Sequence, residues 1–137
     1  MTTTSDLLNP AALEKSSQFL DQMLAKQFRL QERLGTWERV QADAGSRQQF
    51  INQMVLALLD EVMETLGETQ WKNPDVVPFG WKKTQEMSLE KFKAEIIDQL
   101  HFWLALAIVA GFRDGQEILD AYMGKNKENH TRQDRGY

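Results

Sequence analysis

The sequence predicts an all-α fold, a four-helix bundle, on three observations. Apolar residues recur every three or four positions over long stretches, and no stretch alternates polar and apolar long enough for a strand. The three prolines, Pro10, Pro74 and Pro78, lie near apparent element boundaries.

Pro10 suits a first helical turn with Asn9 as N-cap, and Phe19, Leu20, Met23, Leu24, Phe28, Leu30 and Leu34 then follow at helical spacing up to Gly35. The first helix is expected over Pro10 to Leu34. Asp43, Ala44, Gly45 and Ser46 read as a break. After it Phe50, Ile51, Met54, Val55, Leu58, Leu59, Val62 and Leu66 form a second apolar stripe that ends near Gly67. Thr69 to Met87 holds two prolines, Gly80, Trp71 and Trp81, and reads as an irregular connection of the kind that borders a site. Ser88 is the expected N-cap of a third helix, which runs from Leu89 through Phe92, Ile96, Leu100 and Leu104 to Gly111. A short fourth helix, Asp114 to Met123, is expected to stop at Gly124 and leave Lys125 to Tyr137 as a polar tail. The chain is read as a single domain, residues 1–137, without repeats or low-complexity segments.

Composition narrows the function classes. A formal net charge of −4 offers no basic field to hold a nucleic acid polymer. Without cysteine there is no disulfide, thiolate zinc site or cysteine nucleophile, which fits a reducing cytoplasm. Met1 to Pro10 lacks the basic and apolar regions of a signal peptide. Leu100 to Phe112, the most apolar run, is too short to span a bilayer and contains His101, so no membrane association is expected.

The chemistry lies in the acids. The second helix carries Asp60, Glu61, Glu64 and Glu68, with no Lys or Arg between Arg47 and Lys72. Glu61, Glu64 and Glu68 share one face, where like charges cost a few tenths of a kcal/mol per pair, roughly. The third helix places Glu95 and Asp98 one turn apart, with no basic residue after them until Arg113. If these helices pack antiparallel, Glu61, Glu64, Glu95 and Asp98 converge. Oxygen ligands without thiolates select magnesium, with manganese as substitute, and such a cluster suits phosphoryl chemistry. The alternative is a solvated acidic face or interhelical ion pairs. A di-iron carboxylate bundle would need two Glu-x-x-His motifs, whereas His101 and His130 are preceded three positions earlier by Asp98 and Lys127.

The tail is rich in donors and could be a solubilising terminus. Its order is nonetheless particular: Gly124-Lys125-Asn126-x-x-Asn129-x-x-Arg132-Gln133-x-x-Gly136-Tyr137. This run resembles the C-terminal signature of the dimeric all-α dUTPases, relatives of the MazG-type pyrophosphatases. The preceding motifs also resemble theirs in order: Glu61-x-x-Glu64, Thr69-x-Trp71-Lys72 and Glu95-Ile-x-Asp98-x-x-His101-Phe102. The likeness covers about Leu20 to Tyr137.

The resemblance implies that Glu61, Glu64, Glu95 and Asp98 hold Mg2+, that Glu61 or Glu64 orients and deprotonates a water, and that this water attacks the α-phosphorus of dUTP. It further implies that Lys125, Asn126, Asn129 and Arg132, in a phosphate-binding segment 125–137, grip the phosphates, and that Gln27, Trp71 and Lys72 border the nucleotide. dUDP is a second expected substrate. Alternatives are a house-cleaning or dCTP-directed pyrophosphatase and a non-catalytic helical adaptor. Two departures stand out: the helices that full-length relatives carry before the terminal motif are missing, and the segment between Glu64 and Glu95 is long. The shortened chain is expected to complete its bundle and site as a homodimer or a dimer of dimers.

Overall fold

The computed structural model describes residues 16–136, with side chains from Gln18 onward. The proposed Asn9 cap and Pro10 start, and Tyr137, lie outside the described residues. The described part is all-α: α1 Ser16–Arg33, α2 Thr36–Ala42, α3 Ala44–Gly67, α4 Leu89–Val109 and α5 Gly115–Asp134, with no strand among the described residues. None of these helices is long and apolar enough to cross a membrane.

Each boundary has a local cause. Gly35 adopts φ 66, a left-handed conformation that costs glycine little, and ends α1 where the sequence places the stop. The next helix, α2, is not anticipated by the sequence pattern. It has seven residues with Val40 as its buried anchor, too short for a periodicity to register. Trp37 fastens it to α1 through an edge-on contact with Phe28, ring centroids 5.2 Å apart. The expected four-residue break narrows to Asp43 alone, which is extended. Its Oδ1 accepts from Ser46 N at 2.8 Å and its Oδ2 from Ser46 Oγ at 2.8 Å, capping α3. Ser88 caps α4 as expected, accepting from Lys91 N at 3.4 Å.

The chain end departs from expectation. Gly124 does not stop the last helix, which continues to Asp134, so the proposed polar tail is mostly helical. A mid-helix glycine costs only about 1 kcal/mol relative to alanine. Glu128 offsets part of that by accepting from Lys125 Nζ at 3.1 Å and Arg132 at 2.6 Å along one face. The start is firmer. Asp114 accepts from Glu117 N, and Asp21 of α1 accepts from Gly115 N at 2.6 Å.

α4 is the shared wall of two apolar clusters. On one side Leu104 and Ala107 meet Leu24 of α1 and Ile118 of α5; on the other Ala105 meets Val40 of α2 and Phe50 of α3. The most extensive packing is α3 on α4, and it is antiparallel: Phe50 lies by Ala105, while Gln99 Nε2 donates to Thr65 Oγ1 at 2.5 Å further along.

The continuous α5 carries its own test. A methyl group added at Gly124 would meet nothing within 4 Å. Gly124→Ala should therefore strengthen the helix by about 0.5–1 kcal/mol, seen as slower amide exchange over residues 125–134. Unchanged exchange would mean that this segment is not helical in solution.

Candidate functional site

Antiparallel packing brings the two acidic motifs together. One carboxylate oxygen each from Glu61, Glu95 and Asp98 lies within 4.8 Å of the others. Glu64 stands outside that trio, one turn along from Glu61, close enough for its charge to act on both Glu61 and Glu95. Glu68, on the same face of α3, also acts on Glu95. No basic side chain pairs with any of these acids among the described ion pairs.

The cluster is partly withdrawn from water. Oε2 of Glu61 and Oε2 of Glu95 are buried without a hydrogen-bond partner. Burial first, and then the neighbouring carboxylates, push both acids above the ordinary value of 4.5. Shielded oxygens without donors, set among like charges, fit a hard divalent cation, whose charge removes the repulsion and whose coordination uses those lone pairs.

A cavity of about 530 Å³ adjoins the cluster, within the size range of small-molecule sites. Glu61 and Asp98 form one wall with His101 and Phe102, and Gln27, Gln31 and Thr36 form another. Gln27 is only 5% exposed and its Oε1 has no partner. Gln31, one turn later, is equally buried, and the sequence reading missed it. The signal was there, because Gln27 and Gln31 fall at i and i+4 on the face that carries Leu24, where a packed helix has apolar residues. His101 Nδ1 faces Ile97 O at 2.9 Å.

Other residues named from the sequence stand apart from this cavity. Trp71 packs edge-on against Trp81 at 5.3 Å, with Lys72 Nζ 5.4 Å from its ring centre. That connector is pinned where Trp81 N and Lys82 N both donate to Lys72 O, at 3.0 and 3.1 Å. Gly80 is required there, since a Cβ would come within 2.4 Å of Pro74 N. Lys125, Asn126, Asn129 and Arg132 lie on α5, whose main packing partner is α1, and none of them lines the cavity beside the acids. Lys125 and Arg132 both pair with Glu128.

The raised acids set a pH dependence. Because folding lifts the proton affinity of Glu61 and Glu95, the folded chain holds more protons than the unfolded one just above pH 4.5, and their contribution to stability falls as pH rises through that window. With chelator at pH 7, Glu95→Gln should melt at a higher temperature than the parent, and the difference should close below pH 4.5. A variant that melts lower at pH 7 would mean that the carboxylate is compensated within the fold.

Comparison with known proteins adds to this geometry. Residues 19–116 match the dUTPase family, a stretch that holds Gln27, the four acids and the connector but ends before Lys125. A 59-residue segment, 41% of the chain, is 46% identical to a protein of Enterobacteria phage LZ5 named dCTP pyrophosphatase. That match spans about a third of the relative's length, 34%. No solved structure matches the chain. With well over half of its residues matched, and with an all-helical architecture, the chain belongs to the all-α dUTPase family.

Proposed function

We propose that the chain is a magnesium-dependent nucleoside triphosphate pyrophosphatase that hydrolyses dUTP to dUMP and pyrophosphate, with dUDP as a second substrate. The observation that carries this reading is the group of Glu61, Glu95 and Asp98 with two orphaned buried oxygens, set beside a nucleoside-sized cavity. Membership of the dUTPase family supports it.

Glu61, Glu95 and Asp98, with Glu64 beside them, would hold the metal; Mn2+ would serve in place of Mg2+. When bound, the metal supplies positive charge against the triphosphate and favours charge build-up on the α-phosphoryl oxygens. The protein's own part is to place a water in line with the α-phosphorus and to take its proton. Glu61 or Glu64 accepts that proton as the water oxygen bonds to phosphorus and the bond to the α–β bridging oxygen breaks, releasing pyrophosphate. Lys125, Asn126, Asn129 and Arg132 would bind the phosphate chain. Exchange of Glu128 for phosphate is inexpensive, since exposed ion pairs contribute about 1 kcal/mol or less. Trp71 and Lys72 would border the nucleotide.

Assembly is part of the proposal. α3 exposes Val55, Leu56, Leu59, Val62 and Met63, and Leu56 is 66% exposed. A single chain leaves this stripe in water, and a homodimer, or a dimer of dimers, would cover it. Leu56→Glu should leave a monomer by light scattering where the parent is a dimer or larger; a parent that is itself monomeric would overturn the assembly.

A second reading, hydrolysis of dCTP, is favoured by the name of the phage relative. Pyrophosphate release from dUTP, dCTP, dTTP, dATP, dGTP and UTP, with Mg2+ and with chelator, separates the two. Magnesium-dependent release from dUTP is expected, and Glu64→Ala should lower it by roughly 10²- to 10⁴-fold while the fold persists. Release from no nucleotide would defeat the enzyme and favour a helical adaptor.

A further inference from the structure

The connector between α3 and α4 is folded on itself. Lys72 O accepts from Trp81 N and Lys82 N and so closes residues 72–82 into a loop. Asn73, almost fully buried, is the hub inside it. Its backbone O accepts from Val76 N and Val77 N at 3.0 and 2.9 Å, its Oδ1 accepts from Asp75 N at 3.1 Å, and its Nδ2 donates to Thr84 O at 3.5 Å. On the returning side Gly80 lies directly against the backbone of Asn73 and Pro74. That close approach leaves Phe79, the residue before it, at φ 62, a conformation that bulky side chains seldom adopt.

The loop holds out an apolar tip. Phe79 is 99% exposed, and Val76 and Trp81 are each more than half exposed. For a single chain this arrangement is unfavourable twice over, once in the left-handed backbone and once in the ring left in water. A ring that the loop already fixes loses little freedom on contact, which is the property of an interface anchor. Two features point to the partner. The loop starts at the end of α3 where Val62 and Met63 of the exposed stripe stand, so it continues that surface. Residues 72–83 carry Lys72, Lys82 and Lys83 against Asp75 alone, and Asp75 pairs with Lys83 at 3.4 Å. A net positive loop on a chain of net charge −4 is drawn to a second copy of that chain.

We propose that the loop of residues 72–82 is part of the interface with a second copy of this chain, with Phe79 as its anchor. The proposal rests on the reading of the α3 stripe as a homodimer surface and extends that surface to the connector.

The test is sedimentation of the full chain over a concentration series, joined to hydroxyl-radical footprinting of the Phe79 ring. The parent is expected to associate, and modification of Phe79 should fall over the same concentrations. Phe79→Ser should raise the dimer Kd by about thirtyfold or more with helix content unchanged, because the ring is exposed in a single chain. Phe79→Tyr, which keeps the ring, should associate like the parent. Phe79→Gly separates the ring from the backbone: it accepts the left-handed φ without strain, so its fold should persist while its Kd rises as in Phe79→Ser. A parent that associates with Phe79 equally modified at every concentration, or with a Kd unmoved by Phe79→Ser, would overturn the anchor and leave the α3 stripe as the interface. Protection that follows added Mg2+ and the α,β-imido analogue of dUTP, and not protein concentration, would assign the ring to the nucleotide and overturn it too. A parent that stays monomeric throughout would overturn both the anchor and the homodimer.

Discussion

The structure depends on holding together two helices whose facing carboxylates repel each other. Glu61 and Glu64 on α3 meet Glu95 and Asp98 on α4 without a basic partner among the described residues, and two of their oxygens are shut off from water. The opposing force comes from the same pair of helices further along, where Phe50 packs by Ala105 and Met54 and Val109 close round them. The hydrogen bond from Gln99 to Thr65 ties the helices close to the acids. Apolar contact therefore fixes the register, and the register places the charges. One oxygen of Glu61 and one of Glu95 are shut off from water with no counter-charge beside them, and at neutral pH this strains the contact between the two helices.

α4 explains why this strain is tolerable. Leu104 and Ala107 face α1 and α5 while Ala105 faces α2 and α3, so one helix joins both apolar clusters. Burying a leucine such as Leu104 contributes about 2 kcal/mol. Small residues at 105 and 107 let neighbours approach closely on both sides. The acids sit on the half of α4 before this core, and the cavity opens where Gln27 and Gln31 of α1 come opposite them. The arrangement leaves much apolar surface on α3 unburied within one chain, and α5 reaches beyond the two clusters into a largely exposed second half. The exposed stripe of α3 is the surface that the proposed homodimer would cover.

Much of this was legible from periodicity and punctuation. The α3 and α4 stripes, the stop at Gly35, the Ser88 cap and the irregular connection follow from side-chain spacing and local backbone chemistry, which act over a few residues. The pairing of the two acidic motifs was also legible, because uncompensated charges on two strong helices have few arrangements. Seven-residue α2 was not, since its anchors, Val40 and Trp37, acquire meaning only against Phe50 and Phe28. Gly124 was misjudged as a stop because glycine only weakens a helix, and the ion pairs of Glu128 along one face oppose that weakening.

Spacing along the chain thus carries the long helices and the four acids that two of them bring together. It cannot say which oxygens lose contact with water, or that Gln27 and Gln31 line the cavity that the acids also line. Those properties belong to residues thirty or more positions apart that meet only when the helices pack, and burial, which decides their energies, has no local signature in the sequence.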